Sequence, residues 1–159
     1  MPVTPPTTWD RTGLEAIGLD GFVPLVGLRS ADVPREHGIY VVLRADDAEE
    51  HRLLAEIPIV GKATYTVESL AMRWIEGSSV VYIGKAAGKG GLRARLRPFS
   101  TKSRSHSGGR SIWHLEEADT LLVAWTSTPG DEAALVEAHW IQSFRRCHNG
   151  RRPFANLRG

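Results

Sequence analysis

Apolar residues fall into blocks of two different periods along this chain. Gly38 to Leu43 (Gly-Ile-Tyr-Val-Val-Leu) and Val80 to Lys85 (Val-Val-Tyr-Ile-Gly-Lys) are β-branched and aromatic runs, and both predict strands. Thr120 to Thr126 predicts a third strand, and Ile112 to Leu115 a shorter one. Helical spacing governs the other blocks. Asp46 to Ile57 opens with acids, carries Leu53, Leu54 and Ile57 at helical intervals and stops at Pro58, so it predicts a helix. Val67 to Ile75 predicts a second, with Leu70, Ala71 and Trp74 on one face. Leu92 to Phe99 predicts a third, behind the glycine-rich turn Ala86 to Gly91. Pro129-Gly130-Asp131 introduces the longest helix, from Glu132 to about Cys147. Residues 1–12, rich in Pro and Thr, predict a loose arm. Residues 13–37 predict loops with short strands, 100–111 a Ser/Gly/Arg loop, and the tail from Asn149 an irregular basic segment.

The expected architecture is α+β: a small antiparallel sheet of about three strands flanked by helices. Residues 37–159 would form the domain, with residues 1–36 as an N-terminal extension packed on it. Residues 44–79 read as a helical insertion between two strands that would otherwise form a hairpin.

Within these elements, some polar residues stand in apolar places. Glu137 lies mid-helix with Ala133, Ala134, Trp140 and Ile141 three and four residues away, which turns its carboxylate toward the protein body. Burying a charge costs several kcal/mol unless it is paired or binds a metal. Glu137 is therefore either paired with an arginine or used in chemistry. Arg95 shares a helix face with Leu92, Leu96 and Phe99, whereas Arg93 and Arg97 point elsewhere. Two strands carry a tyrosine beside a glycine, in Gly38-Ile39-Tyr40 and Tyr82-Ile83-Gly84. Glycine in a strand often marks the close approach of a ligand or another backbone. The turn from Gly84 to Gly91 opens a helix and could hold a phosphate on its amides, but it lacks the Gly-Lys-Ser/Thr of a P-loop and reads as a turn beside a phosphate-binding region.

Charge sharpens this picture. Residues 1–84 hold seven Lys/Arg and twelve Asp/Glu, a net of −5, whereas residues 85–159 hold thirteen and six, a net of +7. Eight basic residues and no acid lie between Lys85 and Arg110. A basic half of this kind fits a polyanion, most simply nucleic acid. The single cysteine, Cys147, excludes a disulfide framework and a cysteine-rich zinc site. No run of apolar residues is long enough to span a membrane, and Met1 to Pro6 shows neither the basic nor the apolar region of a signal peptide, so a cytoplasmic protein is expected.

Gly38-Ile39-Tyr40 and Tyr82-Ile83-Gly84 together resemble the GIY-YIG nuclease superfamily. The remaining elements follow in order: Lys85 after the second triplet, Arg95 within Leu92-Arg93-Ala94-Arg95-Leu96, Glu137 in the long helix, and Asn156 within Pro153-Phe154-Ala155-Asn156. The resemblance covers about residues 37–159. It includes His106-Ser107-Gly108-Gly109-Arg110-Ser111-Ile112-Trp113, which is similar to stretches in single-domain bacterial members. There are departures. Forty-one residues separate Tyr40 from Tyr82, the glycine turn is two residues longer, and Phe99 stands where several members carry a histidine.

The resemblance implies hydrolysis of DNA phosphodiesters with one divalent metal, Mg²⁺ or Mn²⁺. Glu137 would be the metal ligand, Tyr40 the general base, Tyr82 the residue orienting water or phosphate, and Arg95 the donor to the phosphoryl oxygens. Lys85 would favour the phenolate, His106 would replace the missing histidine, and Asn156 would position the surroundings. Lys89, Lys102, Arg104, Arg110, Arg151 and Arg152 would contact the nucleic-acid backbone. RNA is a possible alternative substrate. A catalytically silent nucleic-acid-binding module with the same fold is the alternative function.

Overall fold

The computed structural model describes residues 3–56, 65–100 and 110–157. Four strands form one antiparallel sheet: β1 (Asp20–Pro24), β2 (Gly38–Leu43), β3 (Val80–Ala86) and β4 (Leu122–Ser127), in the order β1-β4-β2-β3. The fourth strand comes from the N-terminal segment, so that segment belongs to the sheet as well as packing on it. The helices are α1 (Arg11–Ala16), α2 (Val67–Arg73), α3 (Gly91–Ser100), the single turn α4 (Arg110–Trp113) and α5 (Ala133–Cys147).

All six residues of β2 are buried, because both faces of the sheet are covered. Ile39, Val41 and Leu43 face a layer containing Trp140, Ile141 and Phe144 of α5. Tyr40 and Val42 face the opposite layer, with Leu92, Leu96 and Phe99 of α3 and Leu70 of α2. A strand covered on both sides needs apolar residues at every position, which is why Gly38 to Leu43 reads as a continuous run rather than an alternating one.

Three expectations are corrected. Of the helix expected over Asp46 to Ile57, residues 46–56 are not helical, and Ile57 lies outside the described residues. Arg52 to Leu54 instead pairs with the segment His114 to Glu116, through Leu54 N–H to His114 O (2.6 Å), Glu116 N–H to Arg52 O (3.0 Å) and a bridge between Leu53 and Leu115. A helix would set Asp46 against Glu49 and Glu50, and like charges at that spacing oppose it. The Arg44 guanidinium also draws in the Glu49 carbonyl. Ile112 to Leu115 is not a strand: Arg110–Trp113 forms a helical turn, and the Leu115 N–H returns to Ile112 O (2.9 Å). Finally, the described part of the first twelve residues, from Val3, is anchored. The Trp9 ring packs edge-on against Trp140 (6.0 Å) and Phe144 (5.4 Å), and Trp140 Nε1–H donates to Val3 O at 3.3 Å.

Candidate active site

Pairing between β2 and β3 sets Tyr40 directly opposite Gly84. Directly paired residues share a face, so the Tyr40 ring lies over the glycine. A Cβ at Gly84 would overlap the Tyr40 ring and hydroxyl and come within 2.7 Å of the Tyr82 ring. The two rings lie 5.9 Å apart at 42°. Glycine is required here so that both phenols can pack on one edge of the sheet. Phe99 closes the far side, edge-on to Tyr40 at 6.3 Å and to Trp113 at 5.0 Å.

Arg95 comes to the same place from α3 and hydrogen-bonds both phenols. Gly91 makes this approach possible. Its φ is +58°, and a Cβ there would overlap the carbonyls of Arg35 and Glu36. The segment before β2 therefore caps α3 directly. Leu92 N–H donates to Glu36 O (2.9 Å), Arg93 N–H to Pro34 O (2.9 Å) and Gly91 N–H to Gly88 O (3.1 Å). The amides of Gly91, Leu92 and Arg93 at this helix start are thus already satisfied by carbonyls.

Lys85 and Glu137 arrive on the other face. Ile83 and Lys85 alternate with Tyr82 and Gly84, and Ile83 packs toward α5. Lys85 Nζ lies 3.4 Å from Glu137 Oε1. The ion pair anticipated for Glu137 thus exists with a lysine rather than an arginine. Because β3 is an edge strand, groups from both faces meet over its rim. Asn156 covers that rim: its Oδ1 accepts from Ile83 N–H (2.9 Å) and its Nδ2–H donates to Ile83 O (2.8 Å). Tyr82, Lys85, Lys89, Arg95, Glu137 and Asn156 line one cleft of about 580 Å³, whose remaining wall is alanine and glycine. The small residues Ala86, Ala87 and Ala94 in that wall carried no sequence signal, since alanine is equally common in any helix or turn.

Burial acts on Tyr40, Tyr82, Arg95 and Glu137. Desolvation holds the Tyr40 phenol well above its ordinary value; Arg95 opposes this without cancelling it. Tyr82 is raised for the same reason, with the Tyr40 hydrogen bond and Arg95 working against burial. Burial lowers Arg95, but its charge interactions and hydrogen bonds with the two phenols outweigh that and raise it. Burial also raises Glu137, opposed by Lys85 and then Arg95. Tyr40 has no exposed surface, whereas Tyr82 reaches the cleft.

Other expected nucleic-acid contacts fare differently. Lys89 lines the cleft. Arg151 donates to Met72 O (2.6 Å) and Trp74 O (3.4 Å), so its guanidinium ties the tail to the end of α2. Arg152 Nε is buried with no hydrogen-bond partner among the described residues, and Arg110 begins α4. Lys102, Arg104 and His106 lie outside the described residues. Sequence reading missed Arg73 of α2, which donates to Phe154 O (2.9 Å) and Ser111 Oγ (3.0 Å) and so braces the segment bearing Asn156.

Among the described residues, no three metal-ligating side chains cluster. A hydrated Mg²⁺ needs few protein ligands, because it keeps several of its waters. Glu137, one-fifth exposed and already facing a cation, is a donor of the kind such an ion takes. No protein-family model matches the chain, and neither does any curated protein or solved structure.

Proposed function

We propose that this protein is a metal-dependent endonuclease that hydrolyses DNA phosphodiesters in the cleft over the edge of β3. The observation carrying this reading is a convergence. Residues from β2, β3, α3, α5 and the tail, dispersed over 117 positions from Tyr40 to Asn156, gather at one cleft edge. Two phenols sharing a guanidinium with a carboxylate nearby is an expensive arrangement to bury, and packing alone does not call for it.

The chemistry assigns a task to each group. Attack of water on phosphorus requires removal of a proton and stabilisation of the pentavalent oxyanion. Tyr82 is the phenol at the cleft, so it receives the proton from water. Tyr40 stands behind it and donates a hydrogen bond that favours the Tyr82 phenolate. Arg95 favours the same phenolate and presents N–H donors to the non-bridging oxygens, a role suited to a forked guanidinium. Glu137 would hold the divalent ion, which when bound polarises the phosphate and stabilises the leaving oxygen. Asn156 fixes β3 at Ile83, between the phenol and Gly84. Lys85 and Lys89 supply positive charge for the backbone of the nucleic acid.

Incubation of the folded protein with single-stranded, duplex and branched DNA, and with RNA, in Mg²⁺ or Mn²⁺ tests the proposal. Cleavage that needs the metal is expected. Binding without cleavage on every substrate would identify a silent binding module, and cleavage of RNA alone would reassign the substrate.

A further inference from the structure

Two carboxylate–cation pairs among the described residues differ in build. Arg44 holds Glu117 through two nitrogens, with contacts of 2.7 and 3.0 Å, and each side chain is 18% exposed. Lys85 meets Glu137 through a single Nζ contact of 3.4 Å, and the lysine side chain is 43% exposed. The first geometry is bidentate and partly enclosed, suited to permanence. The second is a loose contact from a flexible stem carrying a point charge, placed on the wall of the cleft itself.

Resting on the nuclease reading above, we propose that Lys85 is the displaceable counterion of Glu137: it neutralises the carboxylate in the metal-free protein, leaves it when a divalent cation binds, and then turns its ammonium to the phosphodiester in the cleft. A cation of charge two and an ammonium group repel each other at one carboxylate, so occupancy by either weakens the other. Burial makes an unpaired Glu137 carboxylate costly, which gives the metal-free protein a use for a substitute cation. Lys85 is also the residue next in sequence to the Tyr82 triplet. Its release therefore adds positive charge beside the water-activating phenol only once the metal is in place.

Mn²⁺ titration of the DNA-free protein tests this, read by paramagnetic broadening of backbone amide signals around Glu137. Lys85→Met should tighten Mn²⁺ binding about two- to fivefold, the range expected for loss of an exposed ion pair. Lys89→Met removes the same charge from the same cleft, where among the described residues Glu137 pairs with Lys85, so it should produce a clearly smaller change. In the parent protein, Mg²⁺ should shift the Lys85 side-chain Cε–H signals and leave those of Lys89 in place. Equal effects of the two lysine substitutions, or Lys85 signals indifferent to Mg²⁺, would overturn the counterion role and leave the metal at Glu137 intact. Broadening that survives Glu137→Gln would remove Glu137 as the metal site and overturn both readings.

Discussion

Glu137 carries opposite demands at the scale of a single residue. Burial raises its carboxyl above the ordinary carboxylate value, with Lys85 as the main opposing influence. A raised folded-state value means that ionised Glu137 disfavours folding: stability gained from the protonated form is full at low pH and is lost as pH rises through the carboxyl's titration. Glu137→Gln should therefore melt at or above the parent temperature near pH 7 in metal-free buffer. That advantage should vanish on acidification below the ordinary carboxylate range. Thermal melts at several pH values measure it, and the same variant should lose cleavage. The tyrosines make a second test. With Tyr82 titrating above its usual value, log(kcat/KM) should climb with pH at a slope near one up to the alkaline limit of folding. Tyr82→Phe should flatten the profile. Tyr40→Phe should keep the slope but shift it to higher pH, because it removes the hydrogen bond that favours the Tyr82 phenolate. Identical flat profiles for both variants would contradict the division of labour. Periodicity alone singled out Glu137 and Arg95, because local spacing decides which side of a helix faces the core. The partner of Glu137 was not legible, because Lys85 lies 52 residues away and reaches it only after β3 and α5 pack. Nor was the depth of Tyr40, which depends on Phe99 closing over it.

At the scale of the element, the strands β2 and β3 were legible as apolar runs, and Gly84 within β3 now has a specific cause. Gly84→Ala would drive a methyl group into both phenols, so it should destabilise the fold by about 1–3 kcal/mol, the usual range for overpacking, and disrupt the site. Denaturant titration checks the first effect and cleavage the second. Asn156→Ala strips the Ile83 N–H and C=O of their partners on an otherwise covered edge. Unpaired buried groups cost roughly 1–3 kcal/mol each, so a loss of at least about 2 kcal/mol is expected. A neutral Asn156→Ala would mean that the tail does not hold the edge. Helical spacing misled over residues 46–54, where the acids repel one another and the backbone finds partners in the His114 to Glu116 segment. Short-range patterns contain no record of such distant pairing.

Across the whole molecule, two depressions differ in charge. One is the cleft with Lys85, Lys89 and Arg95 beside Glu137. The other is lined by Asp47, Glu49, Glu50, Glu116 and Glu117 with Arg52, drawing acids from both halves of the sequence, and is a poor surface for nucleic acid. DNA affinity should fall linearly with the logarithm of salt concentration, with a slope of about −0.9 per phosphate contacted on a duplex. Lys89→Ala should flatten that slope by about one contact without lowering the melting temperature. Arg151→Ala should do the reverse, lowering the melting temperature through loss of its bonds to Met72 and Trp74 carbonyls. The basic tail was visible in the sequence, but its fastening role was not, since a carbonyl acceptor leaves no mark in side-chain composition.

The most direct measurement is cleavage of a labelled DNA panel by the parent protein and by Glu137→Gln, at equal folded concentration, with and without Mg²⁺ or Mn²⁺. Products are expected only from the parent with metal present, while Glu137→Gln remains folded, binds DNA at least as well and does not cut. Metal-independent cutting, or a folded Glu137→Gln variant that cuts at the parental rate, would contradict that expectation.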